Sequence, residues 1–163
     1  MHFEKVSFDE FKKCCGEMSE KEIKEIYEKI KLPHRATKGS AGYDFFCPYK
    51  VEITNIYTTI PTGIRWVTDS SDLNAVLIML PRSGQGFKNG VRLRNTTGVI
   101  DQDYCNAANE GHIMVKLNAE ENKAINQGEA FVQGIIIPYL VVENDEATDE
   151  RVGGFGSTDS RNN

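Results

Sequence analysis

The apolar residues change period at position 34, and that change limits the fold more than any other feature of the chain. Before it they recur at helical spacing. After it they come in short runs, each broken by Gly, Pro or Asn. Residues 51–60, 63–68, 74–80, 90–95, 98–101, 112–118 and 130–142 read as strands. Pro61-Thr62-Gly63 makes a turn between the first two, and Ile64 and Trp66 share a face of the second. Ile113, Val115 and Leu117 alternate cleanly. Pro138, inside the last run, requires a sheet edge or a bulge. Many short strands separated by turn residues predict an all-β fold, a barrel or jelly roll. At 163 residues the chain is long enough for one such domain with a real core.

Residues 1 to about 31 predict helices. Ser7 with Glu10, and Ser19 with Glu22, have the spacing of capping boxes. Ile23, Ile26, Tyr27 and Ile30 fall on one helix face, and Pro33 stops the run. Phe3, Phe8 and Phe11 give the first segment its own apolar side. The chain therefore divides into a helical extension at 1–32, a β-domain at 33–150 and a tail at 151–163 carrying a Gly-rich stretch. Residues 143–150 form an acidic linker. The extension is expected to pack or to shape an oligomer and to carry no chemistry.

The net charge of −5 speaks against a surface for duplex nucleic acid, which needs clustered Lys and Arg. No apolar run approaches a membrane span; the longest, residues 134–142, is interrupted by Pro138. The first residues are charged and lack the apolar core of a secretory signal. Cys14, Cys15, Cys47 and Cys105 show no C-x-x-C spacing, and His2, His34 and His112 stand apart. Reduced thiols in a cytoplasmic protein are expected, with no zinc site.

The stretch Asn95-Thr96-Thr97-Gly98-Val99-Ile100-Asp101-Gln102-Asp103-Tyr104 is the first candidate for chemistry. Val99 and Ile100 favour a half-buried strand. Asp101 follows at once, where an apolar segment meets water, and a carboxylate held there suits a general base. Asn95 supplies an amide and Tyr104 a ring, so the stretch suits a pocket for a small planar polar molecule. It equally describes a hairpin with acids in a solvated loop.

Other stretches offer phosphate chemistry or plain structure. In Pro81-Arg82-Ser83-Gly84, Arg brings a rigid fork of donors, Ser a hydroxyl, and Gly close approach of backbone amides. The same four residues also make an ordinary turn. Ala41-Gly42-Tyr43-Asp44 places a second acid after small residues, either bracing a pocket, orienting waters at a metal, or starting a strand. Gln133 lies in an apolar strand and needs a partner, backbone or phosphate. Phe155 among glycines can fold over a base and stack on it, or belong to an incidental tail.

Taken in order, these stretches resemble the trimeric dUTPase family. The five matching motifs are AGYD at 41–44, PRSG at 81–84, NTTGVIDQDY at 95–104, GEAFVQG at 128–134 and GGFGST at 153–158. The resemblance implies a distorted jelly-roll (β-clip) fold and a homotrimer with sites shared between subunits. It implies Mg²⁺-assisted hydrolysis of dUTP to dUMP and pyrophosphate, which limits uracil in DNA and supplies dUMP for dTMP synthesis. By the same resemblance Asp101 activates the attacking water, Asn95 reads the uracil edge, and Tyr104 packs under deoxyribose. Gly98 and Ile100 belong to the same substrate hairpin. Arg82, Ser83, Gly84 and Gln133 contact phosphates, and Asp44 stands near the metal through water. Phe155 and Gly156 cover the base, with Arg151, Ser157 and Thr158 at the γ-phosphate.

The chain departs from the family pattern in three places. Six residues, Cys105-Asn106-Ala107-Ala108-Asn109-Glu110, separate Tyr104 from Gly111, where most members have one. Ala130 replaces a frequent Arg, and Arg151 lies four residues before Phe155 instead of five. The N-terminal helices and longer rim resemble a subgroup of Gram-positive bacteria and their phages. Two other readings share the fold: a dCTP deaminase-like enzyme, and a phage regulatory protein that grips a host partner.

Overall fold

The computed structural model describes residues 1–69, 72–148, 151 and 153. All named sheets are antiparallel. The largest has strand order β2-β11-β6-β8, from Tyr43–Phe46, Ala130–Pro138, Ala75–Pro81 and Gly98–Ile100. A second sheet orders β4-β9-β7, from Thr58–Pro61, Met114–Asn118 and Arg92–Leu93. Two pairs complete the architecture: β10 (Lys123–Ile125) with β3 (Val51–Ile53), and β1 (His2–Lys5) with β5 (Ile64–Val67). This is the expected all-β, jelly-roll-like arrangement. Among the described residues no helix is long and apolar enough to cross a membrane.

Most strands fall where the sequence places them, but the run 51–60 divides into β3 and β4, which pair with β10 and β9 respectively, and Pro61 belongs to β4 instead of the turn. Val115 and Leu117 point inward and are buried, whereas Lys116 between them is exposed. Ile64 and Trp66 share the buried face of β5. Pro138 sits where β11 pairs only with β6, because β2 pairs no further than Gly134. There the missing N–H interrupts no ladder on the open side.

The first residues differ from expectation. His2–Lys5 form a strand, paired residue for residue with β5, and the helices are α1 (Phe8–Lys13) and α2 (Glu20–Lys29). Ser19 and Glu22 make the full reciprocal capping box. At α1, Ser7 Oγ accepts from Glu10 N–H, but the N–H of Ser7 donates to Glu110 instead of Glu10. Val6, Phe11, Ile23 and Ile30 join the same buried cluster as Trp66, Phe45, Ile113 and Phe131. The N-terminal segment thus helps close the core of the β-domain.

Candidate active site

The phosphate turn sits at the end of β6. Arg82 Nε pairs with Asp44 Oδ1 at 2.9 Å, across the edge where β11 lies between them. Gln133 pairs in register with Asp44 on one side and Leu80 on the other, and its Nε2 donates to Pro81 C=O at 3.2 Å. Ser83 opens the short turn Gly84–Lys88 with no capping bond from its side chain, so its hydroxyl is not committed there. Arg82, Ser83, Gly84, Asp44 and Gln133 therefore gather at one place.

The hairpin forms a second group. Thr96 takes a left-handed φ of 65°, and Thr97 N–H donates to Asn95 C=O at 2.6 Å, which folds the chain back sharply. A Cβ on Gly98 would lie 2.9 Å from Met79 Cβ, so glycine permits the close pairing of β8 with β6. A cavity of about 620 Å³ opens there, lined by Asn95, Gly98, Ile100, Met79, Leu93 and Met114 among others. Its wall is mainly apolar, with the Asn95 amide as its one carboxamide and Thr59, Arg94 and Lys116 as further polar lining, which suits a small planar polar ring.

Asp101 anchors the third group, in a neighbouring cavity of about 830 Å³ shared with Asp103, Gln102 and Arg151. Asp101 is the extended residue before the helical turn Gln102–Asn106, so its carboxylate leaves the end of β8. Arg151 bridges the acids: its Nη2 pairs with Asp101 and its Nε donates to Asp103 at 2.8 Å. Its guanidinium also lies 5.8 Å from the centre of the Tyr104 ring. Burial opposes its charge, but the two carboxylates outweigh that and hold Arg151 above its ordinary value. Tyr104 is buried, and burial raises its phenol.

The chain brings Asp101, Tyr104 and Arg151 together, and separately Asp44, Arg82 and Gln133. It does not bring the two sets to one another. Met79 pairs with Gly98 and Leu77 with Ile100, so Asp101 lies beside Val76. Arg82 stands six residues beyond Val76, just past the end of β6, roughly 20 Å away at the rise of a strand. Arg151, expected at a γ-phosphate, rests on the candidate base. Phe155, Gly156, Ser157 and Thr158 lie outside the described residues. Asp103 was missed as a site residue although it stands in the same stretch, because its partner Arg151 is 48 positions away.

The dUTPase family model matches residues 28–159. The deoxyuridine 5'-triphosphate nucleotidohydrolase of Lactococcus lactis subsp. lactis (strain IL1403) is 39% identical over 141 residues, covering 79% of this chain and 88% of that one. The protein of the same name from Hydrogenovibrio crunogenus is 40% identical over 144 residues, covering 82% and 90%. Among solved structures, the dUTPase of Streptococcus mutans superposes with a TM-score of 0.65 at 29% identity, over 88% of this chain and 99% of that one. A mutant dUTPase of phage phi11 of S. aureus, solved for its coordination of a structural Mg(II) ion, gives 0.60 at 19% identity over 75% and 92%; at that identity the likeness speaks for the fold. With the family match spanning most of its length and two relatives near 40% identity, this chain belongs to the dUTPase family.

Proposed function

We propose that this dUTP diphosphatase, which hydrolyses dUTP to dUMP and pyrophosphate, works as a homotrimer with sites shared between copies. The observation that carries the shared site is the separation of Asp101 from Arg82 within one chain. A water-activating acid and a phosphate-gripping arginine roughly 20 Å apart on one sheet cannot both serve a single α-phosphorus. A second copy that presents its Arg82, Ser83 and Gln133 to the hairpin of the first completes the set. The exposed apolar run at the end of β11, Ile137 and Tyr139 to Val142, together with Phe87 beside the phosphate turn, offers surface for such contacts.

In this reading Asn95 pairs with the uracil edge inside the apolar hairpin cavity. Cytosine presents the opposite donor and acceptor there and leaves buried polar groups unpaired. The Tyr104 ring underlies the deoxyribose. Asp101 takes the proton of the water that attacks the α-phosphorus in line, and the pyrophosphate leaves on the far side. Arg82 and Gln133 hold the phosphates, with Asp44 fixing the Arg82 fork. Asp44 also offers a hard oxygen beside the phosphates, which fits Mg²⁺ held mainly by substrate oxygens and waters. Bound there, Mg²⁺ would neutralise charge on the departing pyrophosphate.

Pyrophosphate and ammonia release should be followed across dUTP, dCTP, dTTP and UTP, with and without Mg²⁺. Pyrophosphate from dUTP alone, dependent on Mg²⁺, is the expected result. Ammonia from dCTP would replace this reading with a deaminase.

A further inference from the structure

We infer that Asn109, in the longer rim, is a positioning residue for Tyr104, and that Glu110 ties this rim to the N-terminal segment so that both set how strictly ribose is refused. The inference rests on Tyr104 as the surface under the sugar. The Tyr104 hydroxyl donates to His112 C=O at 3.2 Å and accepts from Asn109 Nδ2 at 2.9 Å. Asn109 is itself fixed: its Oδ1 accepts from Gly111 N–H at 3.2 Å and its C=O from His112 N–H at 3.0 Å. The phenol is thus held at both its donor and its acceptor side by the loop that follows it. A ring that rejects one hydroxyl by contact needs such fixing, because a small drift opens room for the extra atom.

The rim is in turn clasped from the N-terminal segment. Glu110 accepts from Ser7 N–H at 2.7 Å and from Ser7 Oγ–H at 2.6 Å. Glu110 takes a φ of 58°, a left-handed conformation unusual for a side chain of this kind. Gly111 follows at 72°, where a Cβ would come within 2.7 Å of Tyr104 C=O. The loop therefore packs directly on the backbone of the residue it positions.

On the inner side, Glu10, Cys14 and His112 bring oxygen, sulfur and nitrogen within 4.8 Å of one another. This is a clasp and not a metal centre. Gly63 N–H donates to His112 Nε2 at 2.9 Å, which puts the proton of the neutral ring on Nδ1. Nδ1 is the atom facing Cys14 Sγ and Glu10 Oε1, each at 3.8 Å, so it presents a proton where a metal would need a lone pair. The trio instead locks His112, whose carbonyl holds the Tyr104 hydroxyl.

The test is the ratio of kcat/KM for dUTP over UTP in the full-length protein. Asn109→Ala should lower this ratio about tenfold, the usual size of one lost hydrogen bond. Asn109→Leu, close in size and unable to hydrogen-bond to Tyr104 in either direction, should do the same even if the alanine variant fails to fold. Glu110→Ala should shift the ratio in the same direction by less. Tyr104→Phe should lower it too, and adding Asn109→Ala to Tyr104→Phe should change nothing further. A purely structural role would slow both substrates equally; equal slowing, an unchanged ratio in folded Asn109 variants, or additive effects with Tyr104→Phe would overturn the inference. Tyr104→Ala separates the two levels. A wild-type ratio in that variant removes Tyr104 from the sugar site altogether, whereas a collapsed ratio there with normal Asn109 variants removes only the bracing.

Discussion

Arg151 Nε donates to Asp103 Oδ1 at 2.8 Å while the other arm of the same guanidinium pairs with Asp101. The candidate base is therefore paired with the first residue of the tail, while its side chain stays half exposed. A triphosphate, with several anionic oxygens, competes for that guanidinium and can draw it off Asp101 as it binds. Arg151→Ala should then lower kcat/KM for dUTP roughly ten- to a hundredfold, the size of a lost charge-assisted bond. Binding of dUMP, which lacks the outer phosphates, should stay near wild type in calorimetric titration. Equal weakening of dUMP and dUTP would make Arg151 a structural clasp only.

Asp101→Asn keeps the shape of the side chain and loses its basicity. Nucleotide affinity should persist in this variant while kcat falls by about 10²–10⁴-fold. Single-turnover kinetics with saturating enzyme reads the chemical step directly, and near-wild-type turnover would remove Asp101 from the role.

The N-terminal segment is expected to matter for stability as much as for the site. Phe11 is fully buried in the common cluster, and β1 completes the pairing of β5. Phe11→Ala should cost about 3–5 kcal/mol in chemical denaturation, the usual range for a large side chain removed from a core. Deleting residues 1–32 should abolish cooperative unfolding, because it also removes Val6, Ile23 and Ile30 from that cluster.

His112 is fully buried, and burial holds its ring below the ordinary imidazole value despite the opposing pull of Glu10. The unfolded chain then binds a proton at a pH where the folded chain does not. Stability is complete above the unfolded value of about 6.5 and falls as pH drops below it, by up to about 1.4 kcal/mol per unit, until the folded ring titrates. Denaturation curves from pH 8 to 5 should show this slope. His112→Gln, which retains an acceptor for Gly63 N–H, should flatten it.

Much of this was legible in the sequence because the signals were local. Alternation at Val115 and Leu117, the Ser19–Glu22 box and the proline at 138 each state their own geometry within a few residues. The strand at His2–Lys5 was not legible: Phe3, Phe8 and Phe11 mimic a helical side, and only pairing with β5 makes the segment extended. Short β10 carries Lys123 and no clear period, and β2 lies inside a motif that was read for its acid. The site shows the same limit. Asp101, Asn95 and Tyr104 sit in one stretch, but the Cys14–His112 contact joins residues 98 positions apart, and Ser7 meets Glu110 across 103. No local pattern encodes such contacts. The reciprocal box expected at Ser7 was displaced for that reason, since Glu110 offers two carboxylate oxygens to the same residue.

The most direct test of the shared site mixes two inactive variants, Asp101→Asn and Arg82→Ala, by co-expression or by joint unfolding and refolding. Each supplies what the other lacks only if one site draws Asp101 from one copy and Arg82 from another. Random mixing in a cyclic trimer then restores roughly a quarter of the sites, and dUTP hydrolysis should return to about that fraction of wild type. A mixture as inactive as its two components, with mixed trimers verified by mass, would contradict the account.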